Sequence, residues 1–493
     1  MKALVPPGSV HGRLPEDRGT LLEGWRQQWE RGADRAVLID PAGDERALTG
    51  SDLLEETATA ASALAGWGVR RGDRVLWSCH ANLDSIVVLL GALRLGAVVV
   101  PVNPASTPSE MAHLLSDARP TAAILDRPEQ MAESGCHQAR PVELLTHGVG
   151  TGVPVLDAVT ASDDALCVYT SGTTGRPKGA VHTHGSLVAG VESLRVAWDW
   201  QPEDRLILAL PLFHVHGLCA GLFGTLSAGA SALILERFSP EAVLDAAPGA
   251  TMFFGVPTMY HRLAETGRMA ALSALRLCVS GSAPLPSALW HRCHDDGVIV
   301  LERYGMSETL LTLSNPLRGE RRPGTVGLPL PGVEAAIDDP DDDGVGELLV
   351  RGPSMCRGYW ERPEATAASW RDGWFATGDL ASLDGDGYVA IRGRQTELII
   401  TGGHNVYPAE VEAVLARHAS VAEVAVVGIP SEEWGETVVA FVVGAGSPPD
   451  LGALEALASR ELASYKCPRQ LRVLPALPRN AMGKVLRSEL RQA

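Results

Sequence analysis

The stretch Tyr169–His184, YTSGTTGRPKGAVHTH, sets one of the chain's only four lysines directly behind a run of serine, threonine and glycine. The other basic positions are arginine, so Lys178 reads as a place for a compact, flexible point charge and not a planar fork. Backbone N–H groups in a glycine-rich turn can converge on an anion, because glycine permits the dihedrals and the close approach, and the hydroxyls add rotatable donors. Such a loop suits phosphate. It is not a Walker A loop, which needs G-x-x-x-x-G-K-[ST], because here Pro177 precedes the lysine and Gly179 follows it. Taken alone, the stretch reads equally well as a polar surface turn.

Outward from this loop, between residues 50 and 300, helical and extended patterns alternate: SDLLEETATAASALAGWG, DRVLWSC, DSIVVLLGALRLG, AVVVPV. That alternation predicts an α/β sheet with helices on both faces. Beyond residue 320 the texture changes to short strands punctuated by Gly and Asp (GVEAAI, GELLVRG, GYVAIRG, TELIITGG), which predicts a β-rich subdomain. From Gln395 a helix pattern, PAEVEAVLARH, alternates with the strand patterns VAEVAVVGIP and TVVAFVVG. The expected fold is therefore α/β: a large layered N-terminal domain over residues 1–394, β-rich over 320–394, and a small mobile α+β C-terminal domain over 395–493.

A formal charge of −17 excludes a broad electrostatic footprint for nucleic acid or anionic membrane. The eight cysteines are scattered, with no CxxC and no zinc spacing, as expected of reduced thiols in a cytoplasmic protein. The N-terminal MKALVPPGSVHGR lacks the apolar region of a secretory signal. The apolar run Ile86–Val102 is broken by Arg94 and Pro101 and reads as a buried helix followed by a core strand. The expected partners are small molecules, for a monomer or weak dimer. DDPDDDG (Asp338–Gly344) imitates a calcium loop but has Val350 where the bidentate acid should fall, so it reads as a polar hairpin turn. HRCHDD (His291–Asp296) lacks a metal spacing and reads as a helix surface.

YTSGTTGRPKG resembles the phosphate-binding signature of the adenylate-forming superfamily of acyl-CoA synthetases, luciferases and peptide-synthetase adenylation domains. The similarity continues in order through RYGMSET (303–309), GWFATGDL (373–380), GRQTELIITGG (393–403) and PRNAMGKVLR (478–487). The resemblance implies ATP, Mg²⁺ and coenzyme A as cofactors, with a carboxylate attacking the α-phosphate and pyrophosphate leaving. It implies that Thr170, Ser171, Gly172, Thr173, Thr174 and Lys178 hold the β- and γ-phosphates, and that Glu308 holds the metal, with Ser307 replacing the usual threonine. Ser280, Gly281, Ser282 and Ala283 would pack along the adenine beside Tyr304, with Arg303, Gly305 and Met306 on the same nucleotide-facing segment. Asp379 would take the ribose hydroxyls, assisted by Arg394; a structural salt bridge is the alternative for that pair. Lys484 would be the catalytic lysine that contacts both the carboxylate and the α-phosphate. The family's terminal domain rotates between half-reactions, which implies a pivot at Thr396, although the family more often has Asp or Lys there, followed by Asp. The same rotation implies that Gly402, Gly403 and His404 receive coenzyme A, with Gly403 lining the pantetheine tunnel where a side chain would block entry.

For the acid, Arg303 falls where related sequences often carry glycine or an aliphatic residue. A buried arginine beside a reacting carboxylate is costly unless paired, so the pocket is expected to take a second carboxylate. His214 and His216 of PLFHVHGL, Arg276 of LRLCVSGSAP and Met306 are the further candidates for the acyl pocket, and a packing role stays open for His214 and Arg276. LERYGM with HVHG and SGSAPL resembles the malonyl-CoA synthetases. That implies malonate, with methylmalonate as a further substrate, giving malonyl-CoA, AMP and pyrophosphate. A ligase for another short or aromatic acid, a protein that acylates a carrier protein, and a non-catalytic nucleotide-binding homologue remain open.

Overall fold

The structure is a computed structural model that describes residues 3–4, 14, 19–41, 46–128, 136–147, 154–170, 177–431, 433–446, 448–479 and 485–492. The apolar run interrupted by Arg94 folds as the helix Leu83–Arg94 and the core strand Val98–Pro101. Asn82 starts the helix with a reciprocal cap: its Oδ1 accepts from the Ser85 N–H at 2.8 Å, and the Ser85 hydroxyl accepts from the Asn82 N–H at 3.1 Å. All of its residues but Asp84 are buried. Gly91 lets the helix Gly50–Gly66 come close, since a Cβ there would lie 2.7 Å from that of Ala60.

Four sheets are formed among the described residues. In the seven-stranded one, Arg74–Ser78, Val98–Pro101, Ala122–Leu125, His137–Ala139 and Asp164–Thr170 run parallel, and Lys178–Thr183 and Gly358–Tyr359 close the edge antiparallel. The nine-stranded sheet has a parallel centre that includes Arg205–Leu208, Met252–Gly255, Leu277–Ser280 and Val300–Met306, flanked by antiparallel strands such as Leu310–Ser314. Ligands of open α/β sheets gather beyond the carboxyl ends of the strands, and three quoted segments begin there: at Thr170, at Ser280 and at Met306.

Of the four short punctuated segments, TELIITGG supplies Ile399–Thr401 to the terminal sheet, whereas the other three lie in a six-stranded antiparallel sheet built on Glu334–Asp338, Gly346–Arg351, Trp374–Leu383 and Val389–Arg394. The sequence pattern did not foresee its outer strand, Ala3–Leu4, which comes from the start of the chain. The last sheet is five-stranded and includes Val421–Ser431 and Gly435–Gly444. Period-two alternation gives it two cores, one with Val426, Val438, Ala440 and Val442, the other with Ala425, Val427, Val439 and Phe441. DDPDDDG is the expected hairpin turn, in which Asp341 accepts from the N–H groups of Asp343 and Val345 and from the Tyr407 hydroxyl at 2.6 Å. HRCHDD lies at the end of the helix Ser287–Asp295. Among the described residues no helix is long and apolar enough to cross a membrane, and no cluster of three or more His, Cys, Asp or Glu could hold a metal ion.

Candidate active site

Ser171, Gly172, Thr173 and Thr174 of the quoted loop, and Lys484, lie outside the described residues. The strands that carry the loop are described: they pair antiparallel with Thr170 opposite Lys178. The Lys178 ammonium stands 5.3 Å from the ring centroid of Tyr359, and the Tyr359 hydroxyl donates to Glu308 Oε1 at 2.9 Å. Glu308 is buried, and desolvation raises its pKa against the opposing pull of that hydrogen bond. It sits in the tight turn joining Val300–Met306 to Leu310–Ser314, where Leu310 takes a left-handed φ of 56°. A leucine there is strained; its burial against Gly190, where a Cβ would lie 2.6 Å from Leu310 Cδ1, anchors the turn. His182 supports it from below, with Nε2 donating to the Ser307 carbonyl at 2.7 Å; burial lowers its pKa to about 4, so the ring is neutral. Sequence reasoning missed Tyr359 and His182, which lie outside or beside the matched motifs.

Asp379 and Arg394 face each other across adjacent strands, with Nε 3.1 Å from Oδ1. The Tyr304 hydroxyl donates to Asp379 Oδ2 at 2.5 Å, so the tyrosine expected beside the adenine is also tied to the expected ribose acid. Burial first, and the neighbouring Asp379 second, hold the Tyr304 phenol well above its usual range.

Arg303, expected at the acyl end, is only 5% exposed, and its one hydrogen bond among the described residues is a long one from Nη2 to Ser282 Oγ, 3.4 Å. Its Nε has no partner among the described residues. No described carboxylate forms an ion pair with it, and burial pulls its pKa down to about 9. Gly281 is what gives the guanidinium room, since a Cβ there would lie 2.3 Å from Arg303 Cζ; Ser282 beside it takes a left-handed φ of 71°. His216 feels the Arg303 charge, is buried with neither ring nitrogen bonded among the described residues, and stacks at 6.2 Å on Phe254. Burial first, and Arg303 second, hold it neutral. His214 Nε2 and Ser280 Oγ are likewise buried without partners among the described residues, and burial takes the His214 pKa down to about 4. His216 opens a π-helical segment, His216–Phe223, a form that recurs at functional sites.

Arg276 does not join this group, which corrects its place in the expected acyl pocket. It precedes the strand Leu277–Ser280 and so lies at the opposite end from Ser280. Its guanidinium is engaged by both Asp204 oxygens and by the carbonyls of Trp198 and Asp199, each 3.0 Å away. It is a structural residue.

Just before the terminal sheet, Thr396 sits in the short helical turn Gln395–Glu397, and its carbonyl accepts from Arg491 at 3.3 Å. Gly402 and Gly403 are the two turn residues between paired Thr401 and His404, at φ 56° and 80°. A two-residue hairpin with both φ positive demands such residues by itself. A Cβ on Gly403 would meet no atom within 4 Å, so crowding does not explain this glycine in the present arrangement. The His404 ring stacks on Tyr465 at 4.5 Å.

The family model described as AMP-binding enzyme matches residues 25–360, and that of the AMP-binding enzyme C-terminal domain matches 410–484. A malonate–CoA ligase of Arabidopsis thaliana is 38% identical, over 87% of this chain and 79% of the relative. A feruloyl-CoA synthase of an Amycolatopsis species is 37% identical, over 96% of this chain and 99% of the relative. The crystal structure of ATP-bound MatB from Rhodopseudomonas palustris superposes with a TM-score of 0.88 at 35% identity, covering 95% of this chain and 98% of that one. The chain belongs to the AMP-binding enzyme family and is an adenylate-forming acyl-CoA ligase.

Proposed function

We propose that this ligase activates malonate, with methylmalonate as a second substrate, to the CoA thioester through an acyl-adenylate. The observation that carries this reading is the buried Arg303 guanidinium, which has no acid partner among the described residues. An isolated buried cation is costly, and a short diacid would remove that cost by pairing its distal carboxylate with it. His216, His214 and Ser280 add polar groups without partners among the described residues around the same place. A feruloyl chain brings no second carboxylate, and one methyl group discriminates little between malonate and methylmalonate.

In this reading the fixed distal carboxylate aims the proximal one at the α-phosphorus of ATP, which lowers the entropy cost of the encounter. Thr170 and Lys178, with Ser171, Gly172, Thr173 and Thr174, hold the departing pyrophosphate. Ser280, Gly281, Ser282 and Tyr304 flank the adenine, and Asp379 with Arg394 takes the ribose. Glu308 is a buried carboxylate without an ion pair among the described residues, the donor that Mg²⁺ accepts together with phosphate oxygens. When bound, the metal supplies positive charge to the phosphates. Lys484 serves the first half-reaction alone. The chain then turns about Thr396, at the boundary between a domain ending at Arg394 and the terminal one, and brings the Gly402–His404 turn to the thiol of coenzyme A. The scattered cysteines, with no CxxC spacing, suit a cytoplasmic setting.

The test is CoA-dependent AMP formation across malonate, methylmalonate, succinate, butyrate and ferulate. Malonate should give the highest kcat/KM. A preference for butyrate or ferulate would overturn the reading, and AMP formation independent of coenzyme A would point to a carrier protein as acceptor.

A further inference from the structure

Lys178 and Glu308 carry opposite charges toward the same end of the site, yet they form no ion pair with each other; Tyr359 stands between them. Its ring lies against the ammonium, with the centroid 5.3 Å from Nζ, and its hydroxyl bonds the carboxylate at 2.9 Å. The backbone fixes it there. Gly358–Tyr359 pairs with the Lys178–Thr183 strand, with Tyr359 opposite Ala180, and the Trp360 N–H donates to the Gly179 carbonyl at 2.7 Å. The same segment reaches the glutamate turn, since the Cys356 N–H donates to the Glu308 carbonyl at 2.7 Å. On the other side the Tyr359 N–H donates to Thr366 Oγ1 at 2.9 Å, and Gly358, at φ 146°, leaves no room for a side chain: a Cβ would lie 2.6 Å from Thr366 Cγ2.

We propose that Tyr359 is a positioning residue that keeps Lys178 and Glu308 apart, so that the ammonium stays available to phosphate and the carboxylate to the metal of Mg·ATP. Without the phenol, two flexible side chains of opposite charge would neutralise each other, and neither would meet the nucleotide. The hydroxyl and the ring have separable parts. The hydroxyl orients the carboxylate, and the ring holds the ammonium by a cation–π contact. The inference rests on the reading of Glu308 as the metal carboxylate, and the experiment separates the two.

The affinity of the full chain for α,β-methylene-ATP is measured by calorimetry with and without MgCl₂, for the native protein and for Tyr359→Phe, Tyr359→Leu and Glu308→Gln, each checked for an unchanged melting temperature. Magnesium should tighten binding to the native protein. Tyr359→Phe should lose about tenfold of that tightening, the worth of a hydrogen bond to a charged group, while binding within about twofold of native in the absence of magnesium. Tyr359→Leu should weaken both measurements. If Glu308→Gln loses the tightening and Tyr359→Phe keeps it, Tyr359 is structural and the inference fails. If both keep it, Glu308 is not the metal carboxylate, and the reading beneath the inference fails first. Equal weakening of Tyr359→Phe with and without magnesium is general damage and also overturns the proposal.

Discussion

Arg94 and Arg303 are both buried arginines in a core of leucine and valine, 7% and 5% exposed, and they differ in everything else. Arg94 spends every arm of its fork: Nε and Nη2 on Asp157, both at 3.1 Å, and Nη1 on the Leu54 carbonyl at 2.9 Å and the Thr57 hydroxyl at 2.6 Å. Among the described residues Arg303 has one long hydrogen bond and an idle Nε. A satisfied buried charge is architecture, because its desolvation is already offset by partners supplied by the fold. An unsatisfied one costs stability without a structural return, and the proposed function gives it a ligand.

The largest effect should come from breaking the satisfied member. Arg94→Met strands the Asp157 carboxylate and the Leu54 carbonyl, and should lower unfolding free energy by about 3–5 kcal/mol in a urea titration. A change under about 1 kcal/mol would mean that the two arginines are not different in kind. Next, Arg303→Ala should lower kcat/KM for malonate by about 1.5–3 kcal/mol, roughly ten- to more than a hundredfold, while butyrate holds or improves. An unchanged malonate-to-butyrate ratio would return Arg303 to architecture. Smaller, and opposite in sign to Arg94→Met, Arg303→Met should leave the ligand-free protein as stable as before or stabilise it by about 1 kcal/mol, read as a higher melting temperature without malonate. A clear loss of stability would show that the guanidinium has a partner after all. The smallest effect is expected at Arg276→Met, which breaks the pair with Asp204 but should leave the malonate-to-butyrate ratio within about twofold of native at a temperature where the variant is folded.

Much of the architecture was legible because its causes are local. The run around Arg94 announces a helix and a strand by its length and its punctuation, and the terminal sheet announces two faces by alternation. The site was legible where a motif carries its chemistry in consecutive residues, as in RYGMSET. It was not legible where the decisive contact joins distant segments. Arg276 and Arg303 look alike in the sequence as arginines at core strands, one just before Leu277–Ser280 and one within Val300–Met306. Arg276 meets Asp204, 72 residues away, at one end of its strand, whereas Arg303 meets no acid among the described residues. Tyr359 carries no signal of its own, because its meaning depends on Lys178 and Glu308 arriving on either side of it.

The sequence by itself determined that the chain is a layered α/β ligase that handles phosphate, because backbone period, glycine placement and the order of short motifs are properties of neighbouring residues. Only the tertiary structure decided which charges are spent and which are free. That depends on what lies within hydrogen-bond reach once segments far apart in the chain have packed, and burial then magnifies the difference, since a charge removed from water must find its partner in the fold or in a ligand.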